Sequence, residues 1–330
     1  MEYYSAAQIQ TRAPLGALIT ALERAFVEEL DVPNRHAFNF STEGDDGLLV
    51  AMPAFKRNGL SVVKLFTVLP NNRERKLPNI QAVVLVLSEY GTPVAIMDGT
   101  SLTHLRTAAA SALASRYLSR MDSARLVIIG DGPIVPTHVA AHCLVRQIRN
   151  VCICGRSSDL VQIAAAGIHA LVPHVEIEQR MDIAAAVGQA DIVSCATNSA
   201  VPVLDGDWVR PGTFVDLIGS FSPAKREADD VLISRARIFV DTYAGALEEA
   251  GDIIGPLNRG IICRSQIEGE LAELIRGRVQ GRKSDDEIIV FKSVGTAIED
   301  WAAAALILDG GGAAHGSSLG HNRYDDAQSS

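Results

Sequence analysis

Six short runs in the second half of the chain are apolar throughout rather than alternating: RLVIIG at 125–130, NVCICG at 150–155, DIVSCAT at 191–197, TFVDLIG at 213–219, RIFVD at 237–241 and EIIVFKS at 287–293. A strand with one wet face alternates apolar and polar residues, so runs of this kind belong to a parallel sheet covered on both faces. Helical stretches separate them, among them THVAAHCLVRQI, SSDLVQIAAAG and MDIAAAVGQA. Strand, turn and helix repeated in this order predict an α/β fold built on a Rossmann-type doubly wound parallel sheet.

The chain has 330 residues, room for about two domains, and its character changes near residue 120. Before that point, strand-like segments at 48–55, 60–70, 81–90 and 92–99 are broken by turn-rich pieces such as KRNG and EYGTP. A long helix is expected next, capped by Thr100 or Ser101, with Leu102, Leu105, Ala109, Leu113 and Tyr117 on one stripe. We therefore expect a first α/β domain over 1–119, a dinucleotide-binding domain over 120–293, and a helix at 294–308 returning to the first. The Gly- and Ser-rich stretch 309–330 is expected to be a flexible tail.

Composition excludes several classes. There are 30 Lys and Arg against 39 Asp and Glu, a net charge of −9, which does not suit a binder of nucleic-acid phosphates. No apolar run is long enough to span a membrane, and the first residues lack the pattern of a secretory signal, so a soluble cytoplasmic protein is expected. Five cysteines without a CxxC pair read as core residues in a reducing compartment; Cys152 and Cys154 fall on one face of a strand. The eight histidines show no zinc-site spacing, and no metal is expected.

The segment RLVIIGDGPIVPTHVAAH places Gly130 and Gly132 at a strand end, directly before a helix. The first glycine permits the tight turn, and the second lets a pyrophosphate reach backbone amides at the helix N-terminus. Val135 stands where the usual third glycine would pack helix on strand, and Pro136 sits in the first turn, where its missing N–H costs nothing. After the second strand comes Gly155-Arg156-Ser157-Ser158, with no carboxylate until Asp159. A guanidinium and two hydroxyls suit a ribose 2′-phosphate, so NADPH is expected over NADH.

With these segments in view, the chain resembles the ornithine cyclodeaminase/mu-crystallin family over roughly residues 30–308. The resemblance is carried by MPAF at 52–55, VVKLFTVLPNN at 62–72, GTPVAIMDGTSLTHLRTAAASALA at 91–114, GDGPIVP at 130–136, IGSFSPAKREADD at 218–230, VDTYAGALEEAGDI at 240–253 and FKSVGTAIEDWAAAAL at 291–306. It implies a homodimer whose first domain binds substrate and pairs with its twin. It also implies that Arg35, Lys64 and Arg106 hold the substrate's carboxylate and reacting nitrogen. A bidentate arginine with a second cation is what a small carboxylate needs, and a lone lysine inside an apolar strand demands an anionic partner. Cofactor positions carried over by the resemblance are Thr107, Gly130, Gly132, Pro133, Ile134, Thr197, Ser220, Lys225 and Ser293, to which the loop Arg156, Ser157 and Ser158 is added; Val294, near the nicotinamide, is expected to bind substrate.

One departure narrows the activity. Ornithine cyclodeaminases carry an aspartate two residues after the glycine matching Gly219, and Phe221 stands there in this chain. A phenyl ring can neither take a proton nor hold an ammonium. The IGSFSPAKREAD version resembles the cyclic-ketimine reductases, which reduce Δ1-pyrroline-2-carboxylate to L-proline and often Δ1-piperideine-2-carboxylate to L-pipecolate. A flat apolar ring would pack on Phe221. The resemblance thus implies hydride transfer to an imine carbon, with Lys64 and Arg106 as the catalytic pair; Asp98, in AIMDG ahead of the Arg106 helix, is read from its position as a candidate supporting carboxylate. An alanine-type dehydrogenase, ornithine cyclodeamination and a non-catalytic ligand-binding role stay open as alternatives.

Overall fold

The computed structural model describes residues 1–42 and 45–310; the expected tail lies, from residue 311 onward, outside the described residues. The six apolar runs become six strands of an eight-stranded, wholly parallel sheet. From one edge the strands are Glu176–Gln179, Asn150–Cys154, Arg125–Ile129, Ile192–Cys195, Phe214–Leu217, Ile289–Lys292, Arg237–Val240 and Ile267–Glu270. The chain runs outward one way from Arg125–Ile129, then returns and runs the other way from Ile192–Cys195. That reversal creates the crevice in which doubly wound sheets bind ligands.

Both faces of this sheet are covered. Leu126, Ile128, Val151 and Ile153 enter one apolar cluster, while Val127, Ile129, Cys152 and Cys154 enter another. The two outermost strands were not anticipated. They read EIEQ and IEGE, short and rich in glutamate, as suits the edges of a sheet, so they carry no apolar run.

The first part of the chain builds a seven-stranded mixed sheet. Its strands Asp45–Lys56, Ser61–Val68, Ile80–Leu87 and Pro93–Asp98 are antiparallel neighbours at the expected places. Glu2–Tyr4 adds in parallel at one edge, and His36–Thr42 pairs with Asp45–Lys56. Helix Leu15–Ala25 buries Leu18, Ile19, Leu22 and Ala25, a helical spacing present in the sequence but not read there. Helix Ala297–Leu308 returns to pack on this sheet, against Ser61–Val68 and Asp45–Lys56.

The long helix Gly99–Leu118 links the two sheets. Its cap corrects the sequence reading: Asp98 Oδ1 accepts from the Ser101 amide at 2.7 Å, so neither Thr100 nor Ser101 caps it. Further along, Ser111 Oγ donates to Asp216 Oδ1 at 3.1 Å and lies 3.0 Å from His138 Nε2, while Ser194 Oγ donates to Asp216 Oδ2 at 2.9 Å. All four side chains are fully buried, so this serine–histidine–aspartate contact rivets the helix to the parallel sheet and meets no substrate. Burial lowers the His138 pKa to about 4 against the pull of Asp216.

Candidate active site

Lys64 lies in the middle of the first sheet, paired with Met52 on one side and Val84 on the other. Alternation along Ser61–Val68 buries Val62, Lys64 and Phe66 on the face that meets helix Ala297–Leu308. The anion that a buried lysine demands is Asp300 on that helix: Lys64 Nζ is 3.0 Å from Oδ1 and 2.8 Å from Oδ2. Lys64 is 3% exposed and Asp300 fully buried. Burial, reinforced by Arg106 and opposed by Asp300, brings the Lys64 ammonium down to a pKa of about 8.

Arg106 reaches the same helix. Its Nη1 lies 2.5 Å from Glu299 Oε2 and its Nε 3.2 Å from Asp300 Oδ1. Burial opposes the guanidinium's charge, but Glu299 and Asp300 outweigh it and hold the pKa above the ordinary arginine range. Burial pushes Glu299 up to about 7, with Arg106 pulling the other way. Asp300 therefore bridges the two cations, and neither it nor Glu299 faces solvent as a helix-face residue would. Asp98, in contrast, spends its carboxylate on the helix cap, which corrects its assignment as a carboxylate of the site.

Arg35 arrives from the loop before His36–Thr42. Its Nε pairs with Glu249 at 2.8 Å, and its Nη2 donates to the carbonyls of Val294 and Gly295 at 3.2 and 2.5 Å. Gly295 links this arginine to the other: a Cβ built there would sit 2.5 Å from Arg106 Nη1. Its φ of +81° also favours glycine. Asp241 shapes the loop, accepting from Ser293 Oγ and from the amides of Val294 and Gly295 at 3.0, 2.8 and 2.7 Å. The three basic residues thus converge around residues 293–300. Asp300, Glu299 and Asp241 are the site residues that sequence reasoning did not promote; the isolated Lys64 in its apolar strand was the signal that an acid had to be near.

The glycines of the dinucleotide motif meet their geometric requirements. Gly130 has φ +141°, and a Cβ there would meet the Ala196 carbonyl at 2.7 Å. Gly132 has open space where a side chain would stand. Pro133 and Ile134 lead into helix Val135–Val145, with Pro136 in its first turn. Close packing has moved to another glycine, since a Cβ on Gly167 of the next helix would strike Pro136 at 2.8 Å. Asp131 Oδ2 accepts from the amides of Arg156 and Ser157 at 2.9 and 3.0 Å. This leaves the Arg156 side chain and Ser158 exposed, with Ser157 capping the following helix.

The remaining predicted positions divide. Thr107 is half-buried beside Arg106, and its hydroxyl has no hydrogen bond among the described residues. Thr197, Ser220 and Ser293 have hydroxyls already engaged, with Glu227, the Lys225 carbonyl and Asp241 respectively. They shape the loops beyond the strand ends. Lys225 Nζ donates to Asn198 Oδ1. Phe221 and Val294 share the apolar cluster on one face of the parallel sheet.

This geometry matches known proteins along almost its whole length. The model of the ornithine cyclodeaminase/mu-crystallin family matches residues 3–312. The chain belongs to that family. It is 35% identical to a Δ1-pyrroline-2-carboxylate reductase of Colwellia psychrerythraea over 313 residues, 94% of this chain and 99% of that one. Among solved structures, Δ1-pyrroline-2-carboxylate reductase of Thermococcus litoralis in complex with NADH and L-proline superposes with a TM-score of 0.89 at 32% identity, covering 94% of this chain and 97% of that one. An archaeal alanine dehydrogenase dimer with bound NAD gives a TM-score of 0.85 at 27% identity, covering 93% and 95%.

Proposed function

We propose that the protein reduces cyclic imino acids, Δ1-pyrroline-2-carboxylate to L-proline and its six-membered homologue to L-pipecolate, with NADPH preferred over NADH. The observation that carries this reading is the buried cluster of Lys64, Arg106 and Asp300, with Arg35 joined to it through Gly295. Residues 1–119 with the helix from the 294–308 segment supply the substrate side, and residues 120–293 hold the cofactor.

Gly130 and Gly132 leave the space that a pyrophosphate needs at a helix N-terminus, and Thr107, beside Arg106, offers a hydroxyl with no partner among the described residues. When bound, the nicotinamide supplies the hydride for the imine carbon. Arg106 and Arg35 fix the substrate carboxylate in this reading, exchanging part of their present contacts with Glu299 and Glu249 for it. Lys64 supplies the proton for the imine nitrogen. Its pKa of about 8 puts it near the working pH, where a general acid is most effective. Asp300, 2.8 Å from Lys64 Nζ and 3.2 Å from Arg106 Nε, keeps the ammonium aimed. The reaction takes up one hydride and one proton, so no ammonia has to be added or expelled and Phe221 can stand where a cyclodeaminase needs an acid.

Arg156, exposed beside Ser157 and Ser158, supports the preference for a 2′-phosphate. A homodimer is supported by exposed Phe38 and Leu49, cross-strand partners on the outer face of the first sheet, with exposed Val83 on the same face of another strand. A cytoplasmic location is supported by five free cysteines; among the described residues, no helix is long and apolar enough to cross a membrane.

The test is NADPH and NADH oxidation with five- and six-membered cyclic imino acids, run beside pyruvate plus ammonia. Turnover of the preformed rings is expected. Ammonia-dependent oxidation with pyruvate alone would make the protein an alanine-type dehydrogenase. Tight cofactor binding with no turnover of any imine would make it a ligand-binding protein.

A further inference from the structure

Beyond the carboxyl ends of two neighbouring parallel strands lies a buried carboxylate that the proposed mechanism does not use. Glu227 Oε1 accepts from the Thr197 amide at 2.7 Å and the Thr197 hydroxyl at 2.9 Å, and its Oε2 accepts from the Gly219 amide at 2.8 Å. Thr197 follows strand Ile192–Cys195 and Gly219 follows strand Phe214–Leu217. The two loops touch so closely that a Cβ on Gly219 would meet the Thr197 carbonyl at 1.9 Å. Glu227 is itself fixed from behind. Asp252 Oδ1 accepts from the amides of Glu227 and Ala228 at 2.8 and 3.0 Å, and Lys292 Nζ stands 3.2 Å from Asp252 and 4.0 Å from Glu227. All three charged groups are fully buried.

We infer that Glu227 is a positioning residue for the nicotinamide end of the cofactor, acting through Thr197 and Gly219 without touching the ring. The inference rests on the dinucleotide-binding reading above, because ligands of doubly wound sheets lie outside these strand ends. Three donors converge on one carboxylate, and only a full anion satisfies all of them. A glutamine would turn its NH2 toward a backbone N–H whichever way it is flipped. Protonation adds an O–H among these donors and weakens that oxygen as an acceptor. Burial pushes the carboxyl up to a pKa of about 7, with Lys292 opposing and Asp252 reinforcing the shift. Besides Asp252 and Lys292, the Cys195 thiol interacts with this cluster, and burial raises it well above its ordinary range.

The test compares NADH with ADP-ribose, which lacks the nicotinamide, by fluorescence titration and calorimetry between pH 6 and 8. For Glu227→Gln, NADH should bind about tenfold more weakly and ADP-ribose within twofold of the parent. In the parent the ratio of the two affinities should fall with acidity, and in the variant it should be flat. Equal weakening of both ligands, or unchanged NADH binding, overturns the inference. If Glu227→Gln does not fold, the parent alone decides: a ratio independent of pH overturns it, and one that falls below pH 7 supports it. A parent that shows this ratio yet reduces no imine would refute the proposed activity and leave Glu227 in place.

Discussion

Replacing Lys64 by Met should abolish turnover and at the same time stabilise the fold at neutral pH. Methionine keeps an unbranched chain of similar length and removes only the charge and the donors. An ordinary lysine ammonium titrates at 10.5 and Lys64 at about 8. At about 1.4 kcal/mol for each pH unit, that difference is about 3 kcal/mol. The cost already includes the attraction to Asp300, so the pair does not recover the desolvation of the ammonium. The folded state holds the Lys64 proton less tightly than the unfolded chain does. Lys64 therefore contributes stability that is present above pH 10.5 and lost as the pH falls through 8. At pH 7 the parent carries the whole penalty and Lys64→Met carries none of it, while Asp300 keeps Arg106 at 3.2 Å.

The measurements are urea unfolding of both proteins at pH 7 and pH 9.5, together with turnover on a cyclic imino acid. Lys64→Met should gain up to about 3 kcal/mol at pH 7 and less at pH 9.5, with turnover down at least ~100-fold, the scale of general acid catalysis. In the parent, kcat/KM should fall tenfold per pH unit above 8, because only the ammonium donates. A variant that loses stability at pH 7 would show that the ion pair is net favourable and would refute the electrostatic argument. Activity within a few-fold of the parent would remove Lys64 from the reaction.

Arg156→Ala should raise the KM for NADPH about tenfold and leave that for NADH within twofold, the scale of one charge-assisted contact; equal effects on both would return Arg156 to an ordinary solvated loop. Asp98→Ala should lower stability by about 1 kcal/mol, the usual worth of a helix cap, with kcat unchanged; thermal unfolding and turnover measured on the same sample check this, and a collapse in turnover would put Asp98 back in the site. His138, brought from 6.5 to about 4 by burial, contributes stability that is present above pH 6.5 and lost as the pH falls through 4. His138→Gln should flatten the acid limb of the unfolding curve by up to about 3 kcal/mol, and an unchanged limb would assign acid unfolding to other groups.

The parts of this protein that could be read from its sequence are those where a local pattern carries the physics. Apolar runs such as LVII and VCIC must be covered on two faces wherever they end up, so the parallel sheet was legible before its order was known. A glycine pair at a strand end constrains the backbone by itself, and Gly130 takes the positive φ that the motif requires. The acidic residues of the site are different, because their meaning depends on burial. Glu299 and Asp300 stand in AIEDWAAAAL, where a helix start with two acids in its first turn is also what a solvated helix looks like. Only the return of that helix onto the first sheet brings them to Lys64 and Arg106. Glu227 is harder still, since KREADD reads as a charged surface turn and its three donors come from two loops, at Thr197 and Gly219. The sequence did hold one indirect clue, the lone Lys64 in an apolar strand, which required an anion in its neighbourhood without saying from where. Buried charge of this kind is visible as a debt on one residue long before the partner that settles it can be named.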